Sequence, residues 1–454
     1  MSSHATSSVH PTGTPAATRS SSSKPLAFAL VTVLTGVGAG LGGMALALIL
    51  HAVQHIAYGY SIGQWVGHES FLQGVSAASA WRRLVVFALC GGVAGIGWAA
   101  LYRYGRPLVS IRKAVGSADP RMPLVSTTVH ALLQIVTVAL GSPLGREVAP
   151  REIGSLLAGR LAHRAGLTSD DCRLMVACGA GAGLAAVYNV PLGGAVFVLE
   201  VLLGTFAPSA LIVALVTSTI AAIVAWSGLG NAQQYVIPAF VSSAPLLIWA
   251  ALCGPLFGLA AWGFVKLTSS ARAHAPRGFK LVAGSIVNFV AIGALVTVFP
   301  QLAGNGKGAA SLSFGGDLAI GLAAALLVLK VAIEASSLRA GAEGGLLTPG
   351  MTNGALFAVV LGGIWSHFLP TLAPGACALI GAGAFLAASM QMPLTAVVLL
   401  VEFTHANHNL LYPLLLAVAG SVMTFRSIPV VIAYADNLRV RAAMPEKQVE
   451  RTSV

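Results

Sequence analysis

Charge is what this sequence has least of. Asp, Glu, Lys and Arg make up 9% of the 454 residues, and only 14 of those residues are acidic. An ordinary soluble domain carries about a quarter charged residues, so the composition excludes that class. Cysteine is also scarce. Cys90, Cys172, Cys178, Cys253 and Cys377 form no CxxC pair and mostly fall in apolar runs, which argues for small core residues rather than a disulfide framework or thiolate metal site. His51 and His55 have the i, i+4 spacing of a metal pair but no acidic or cysteine neighbour, so they are expected at a helix end near a membrane surface, as are His405 and His408. No metal and no cofactor is expected. Residues 1–24 are Ser, Thr, Ala, His and Pro with few large apolar side chains. They lack the apolar core of a signal peptide and are expected to form a disordered cytoplasmic tail. A second short tail is expected over 439–454.

Apolar residues are abundant, at 56%, and the mean hydropathy is +0.83. Near-continuous apolar runs lie at 26–54, 83–101, 125–144, 171–187, 208–227, 245–268, 281–300, 317–338, 353–366 and 409–424, many long enough to cross a bilayer. Two more, 190–204 and 392–404, are short and predict helices that stop partway. The runs do not alternate, which argues against a membrane β-barrel. The expectation is a helical multi-pass protein of the cell membrane, in which the 52 glycines allow close helix packing. The net charge of +12 would raise nucleic acid as a partner in a soluble protein. Here Lys24, Arg103, Arg106, Arg112, Lys113, Arg121, Arg439, Arg441, Lys447 and Arg451 sit at predicted membrane borders and place both termini inside.

The few charges are concentrated. Gly141-Ser-Pro-Leu-Gly-Arg-Glu-Val-Ala-Pro-Arg-Glu-Ile-Gly154 sets Arg146, Glu147, Arg151 and Glu152 between membrane-grade segments. A charge at the centre of a membrane helix costs about 2.5–3.5 kcal/mol on insertion scales, so these side chains are expected to pair or to line a water-filled path. Gly145 and Pro150 predict a turn and then a helix starting near Glu147, whose free N–H groups favour an anion.

An internal repeat divides the chain. Gly179–Val201 aligns with Gly381–Phe403 at 11 of 23 positions, with Pro191 on Pro393 and Glu200 on Glu402, each 202 residues apart. The halves are expected at about 25–228 and 240–438. Glu200 and Glu402, at equivalent places, suggest a shared structural role. Gly341-Ala-Glu-Gly-Gly-Leu-Leu-Thr-Pro-Gly350 is the second-half partner of the opening motif. Paired half-helix starts in two repeats point to a midplane site. A Gly-rich stretch alone is more often a packing surface, but Arg146, Glu147, Glu334, Arg339 and Glu343 gather around both motifs.

Four stretches resemble the chloride channel and chloride/proton antiporter (CLC) family: Gly145-Arg-Glu147, Asn189-Val-Pro-Leu-Gly-Gly-Ala-Val-Phe-Val-Leu-Glu200, Gly344-Gly-Leu-Leu-Thr-Pro349 and Pro393-Leu-Thr-Ala396. The resemblance spans roughly 26–440. It implies an all-α membrane protein of two inverted-topology repeats with broken, partly spanning helices, assembled as a homodimer in the lipid bilayer. It also implies a chloride or similar small-anion path lined by helix N-termini, with Glu147 as gate and proton acceptor. The anion is expected between the helix starts near Glu147 and Leu346, among Arg146, Val148, Leu346 and Leu347. The chain departs from the family pattern in several places. Arg106 stands where a serine hydroxyl is usual and is expected to bind the anion through its guanidinium, Leu347 stands where phenylalanine is usual, and Val430 where an anion-coordinating tyrosine is usual, with Tyr434 one turn on as a substitute. Val201 stands where antiporters carry an internal proton-transfer glutamate. Glu200, Glu334 and Glu343 are candidate substitutes in a proton relay. Without that glutamate the expectation is channel-like anion transport with weak or no proton coupling. A chloride/proton antiporter is the alternative, and an integral-membrane enzyme the rival of another class.

Overall fold

The computed structural model describes residues 25–60 and 70–443, with side chains described up to 432. The expected 1–24 tail lies outside the described residues, as does most of 439–454. Seventeen α-helices are present among the described residues. The first half holds α1 (Pro25–Tyr58), α2 (Phe71–Ala77), α3 (Ala80–Tyr104), α4 (Ile111–Val115), α5 (Leu124–Ala139), α6 (Val148–Arg164), α7 (Ser169–Tyr188), α8 (Pro191–Phe197, continued by a π-helical turn Val198–Leu203) and α9 (Pro208–Leu229). The second holds α10 (Ala244–Ala273), α11 (Phe279–Val298), α12 (Lys307–Gly315), α13 (Ile320–Arg339), α14 (Leu347–Phe368), α15 (Pro374–Met390), α16 (Pro393–Thr404) and α17 (Leu411–Ala443). Eight stretches are long and apolar enough to cross a membrane. The expected span at 125–144 contracts to the 16 residues of α5, and α15, 17 residues long, lies outside the runs read from the sequence. A chain with such short helices keeps their ends inside protein, where non-helical backbone is tolerated.

The repeat is visible in matching close contacts. Gly154 of α6 lies so near Gly179 of α7 that a Cβ on it would meet the Gly179 carbonyl, and Gly354 of α14 meets Gly381 of α15 in the same way. Each pair lets two backbones touch, as membrane helix interfaces built on small residues do.

The half-helices α8 and α16 start at Pro191 and Pro393, where proline at the first turn forfeits no hydrogen bond. They cap each other. Glu402 accepts from the N–H groups of Leu192 (3.0 Å) and Gly193 (2.6 Å). Glu200 accepts from the N–H groups of Leu394 (3.0 Å) and Thr395 (2.7 Å) and from the Thr395 hydroxyl (2.6 Å). For each glutamate to reach the other helix's start, the two helices must run in opposite directions. That reciprocity is the signature of inverted repeats, and it confirms the shared structural role expected of the two glutamates.

One end of the molecule is basic. The end of α3 meets the start of α11 around a cavity of about 720 Å³ that includes Arg103, Arg106 and Arg277. Arg121 lies beside Arg160, His163 and Arg164 at the end of α6, and Arg112 beside Arg173 near the start of α7. At the opposite end Arg82 holds the carbonyls at the end of α1, and Arg83 those at the end of α11.

Candidate functional site

The loop before α6 and the loop before α14 meet in the middle of the molecule. Gly145 donates to the Gly345 carbonyl at 2.7 Å, and Gly345 donates back to the Gly145 carbonyl at 2.9 Å. This two-bond bridge, one loop from each repeat, brings the starts of α6 and α14 together. Neither helix has a side-chain cap, so both present first-turn N–H groups and positive dipole ends to one buried spot.

Glu147 occupies that spot. It is fully buried, and its Oε1 accepts from the Leu347 N–H at 2.7 Å, while Oε2 meets no polar partner among the described residues. A Cβ on Gly145 or on Gly345 would run into this carboxylate, which explains glycine at both places. Arg151 fixes the backbone below it, donating from Nε to the Glu147 carbonyl at 2.8 Å while its guanidinium lies 5.1 Å from the Phe197 ring. Arg146 is held with its guanidinium 5.2 Å from the Tyr188 ring. Val148 is the first residue of α6 and Leu346 the residue before α14, so both expected positions border the spot. Leu347 supplies a backbone N–H there, for which the change from phenylalanine is immaterial.

Other expected residues fall elsewhere. Arg106 is exposed in the wide basic cavity rather than between the two helix starts. Val430 is 68% exposed on α17 and is no part of the closed spot, and the Tyr434 side chain lies outside the described residues. Both oxygens of Glu200 are engaged in capping α16, which leaves that carboxylate fixed in place. Glu334 accepts from Asn353 at 2.8 Å, with Lys330 at 3.9 Å. Lys330 in turn donates to the Gly304 carbonyl at 2.6 Å, in the loop after α11. Since α11 starts at the basic end and spans the molecule, Glu334 lies toward the opposite end and off any route from the basic cavity to Glu147. Glu343 is at the basic end, accepting from the Tyr102 hydroxyl at 2.9 Å and paired with Arg272 at 3.4 Å.

Tyr188, Thr348 and Lys307 had no role in the sequence reading, and His51 had one only as a helix-end residue. The Tyr188 hydroxyl lies 3.4 Å from that of Thr348, in the first turn of α14, and the Tyr188 ring supports Arg146. Lys307, at the start of α12, interacts electrostatically with Arg146, as does His51. The cations of this set are Arg146 and Lys307. No spacing rule links positions so far apart in the chain, although Lys307 next to Gly306 in an apolar stretch was a usable signal.

The family model described as voltage gated chloride channel matches residues 92–426. A ClC-type chloride channel ClcB of Citrobacter koseri, described as voltage-gated, is 28% identical over 380 residues, covering 78% of this chain and 87% of its own. An H(+)/Cl(-) exchange transporter ClcA of Vibrio campbellii is 29% identical over 427 residues, covering 88% of this chain and 87% of its own. Among solved structures, a slow cyanobacterial Cl-/H+ antiporter shares the fold with TM-score 0.74 at 19% identity, over 93% of this chain and 96% of that one. A CLC-type fluoride/proton antiporter does so with TM-score 0.62 at 18% identity, over 88% and 95%. With inverted half-helices, two uncapped helix starts meeting at mid-molecule and a glutamate between them, this integral membrane protein belongs to the voltage-gated chloride channel (CLC) family.

Proposed function

We propose that the protein exchanges chloride or a similar small anion for protons across the cell membrane. The single observation that carries this is the Glu147 carboxylate itself, which occupies a place built for an anion and accepts the Leu347 N–H that an anion would accept. Carboxylate and anion compete for one set of donors. Protonation removes the carboxylate's charge and its claim on those donors, so the side chain leaves and an anion enters. Return of the carboxylate expels the anion and releases the proton. Gate and proton acceptor are then one group, which is the elementary requirement for exchange.

This reading takes the place of the channel-like, weakly coupled transport expected from Val201. The exchange activity named for the Vibrio campbellii relative supports it, as do the antiporters among the structural neighbours. The basic end faces the cytoplasm under the positive-inside rule. Arg103, Arg106 and Arg277 there raise the local anion concentration, and Tyr188 and Thr348 offer hydroxyls to the anion once Glu147 has moved. A second copy of the chain is the expected partner in the bilayer. An enzyme gains no support from the family.

The test is a liposome experiment with the full chain, an imposed chloride gradient as sole driving force, and anion and proton movements recorded together. Uphill proton movement in fixed ratio to chloride is the expected result. Anion flux without proton movement would return the protein to the channel reading.

A further inference from the structure

An exchanger needs an ionisable route from the cytoplasmic water to Glu147, and Val201 cannot carry a proton. The side chains of α5 and α6 hold an assembly that can. His130 Nδ1 lies 2.9 Å from Glu152 Oε2, and Gln134 Nε2 lies 2.9 Å from the same Nδ1 and 3.4 Å from the same Oε2. All three are buried, at 7%, 8% and 0% exposure. Burying an acid and a base in a membrane protein is costly, and such groups are functional by default.

Its position suits a relay. Glu152 follows Glu147 by five residues on α6, about 7.5 Å along the axis, and α6 runs from the site toward the basic end. Five residues also turn the helix by about 140°, so the two carboxylates leave α6 on different sides and the relay needs water around the helix start to join them. On the other side His130 feels the charges of Glu343 and Arg272, the pair at the basic end. Tyr102, which lines the basic cavity, donates its hydroxyl to Glu343. The charged and titratable groups around the assembly are thus Glu152 and Arg151 from α6, Glu343 from the loop before α14, and Arg272 from α10. The apolar residues of α1 packed near α5 include Leu46, Leu50 and Val53.

We propose that the hydrogen-bonded His130–Glu152 pair, with Gln134 beside it, is the proton relay between Glu343 at the cytoplasmic end and Glu147. This rests on the exchange reading above. His130 takes a proton on Nε2 from water or from Glu343 and gives the one on Nδ1 to Glu152. Glu152 passes it through water to Glu147, and the proton left on Nε2 moves through bordering water to Nδ1, which restores the starting form of the imidazole. One proton enters and one leaves, with no change of oxidation state. Histidine is suited to this because its two nitrogens can face different partners. The Gln134 carbonyl is buried without a hydrogen-bond partner, so the amide can turn to offer either its NH2 or its oxygen as the proton moves past.

The experiment is the same liposome measurement on the full chain, comparing the wild type with Glu152→Gln and His130→Asn. Loss of a proton-transfer group typically costs about 10²-fold or more, so the ratio of protons to anions should fall at least about tenfold while anion flux persists. Either variant suffices should the other fail to fold. A ratio unchanged from wild type in a folded variant overturns the relay and leaves the exchange reading standing. A wild-type protein that moves no protons overturns the exchange reading, and the relay with it. Glu200→Gln is the comparison, and it should keep the wild-type ratio. Loss of the ratio there, with Glu152→Gln unaffected, moves the relay to Glu200 and overturns the proposal.

Discussion

Glu147 and Leu347, 200 positions apart, are joined by a hydrogen bond of 2.7 Å from the backbone of one repeat to the side chain of the other. The carboxylate thereby sits at the start of two helices at once. A negative group at a helix N-terminus gains up to about 2 kcal/mol in a partly buried setting, and here two dipole ends contribute. A bound anion would collect the same stabilisation, so under the proposed exchange the carboxylate and the anion would compete closely.

Replacing Glu147 with Gln or Ala should make anion flux fast and nearly independent of pH. In the wild type, flux should rise as external pH falls, because protonation removes the competing carboxylate. Flux recorded against pH in liposomes checks both. Retained pH dependence in the two variants would assign the gate to another group.

Gly345→Ala tests the space around the carboxylate. The added methyl group meets Glu147, and overpacking of a buried site costs about 1–3 kcal/mol. Most of that cost should vanish when Glu147→Ala is also present, since the opposing atoms are gone. A double-mutant cycle on thermal unfolding reads the coupling. Additive penalties would mean that the methyl clashes with something else.

Glu402→Gln should destabilise the fold by about 1–3 kcal/mol, because the α8 start loses a charged acceptor serving two N–H groups. Glu200→Gln should do the same at α16. Denaturation in detergent supplies the measurement, and unchanged stability in both would show that the caps contribute little.

Arg106→Ser should slow anion entry from the basic end rather than alter the closed site. Arg106 shares the cavity with Arg103 and Arg277, so its effect is one of local potential. The loss should be a few-fold at low ionic strength and should shrink as salt approaches about 1 M, where the screening length is about 3 Å. Calorimetric chloride titration of Arg106→Ser showing greatly weakened binding would place the guanidinium at the ion.

By itself the sequence determined the membrane class, the helix starts and the two-fold repetition. These depend on short-range features, namely apolar run length, proline in a first turn, glycine before it, and the spacing of Pro191 and Glu200 against Pro393 and Glu402. It also singled out Glu147, because a carboxylate at a helix start in an apolar stretch is conspicuous without coordinates. What occupies the space around that carboxylate was settled only by the fold. Arg106 lies at the right distance along the chain yet faces an open cavity, since the loop after α3 stays at the basic end. Glu334 looked equivalent to Glu343 in sequence, but Glu334 lies on α13 toward one end of the molecule and Glu343, in the loop after that helix, lies at the basic end. Glu152 stood out in sequence as a charge that should pair, but its partners His130 and Gln134 were unremarkable letters and join it only because α5 and α6 pack side by side. Tyr188 and Thr348 meet through the joining of two loops from different repeats. Local chemistry dictates where a helix begins, whereas the neighbour of a side chain depends on how distant helices pack, and low-resolution patterning of Gly, Ala and Leu carries little record of that.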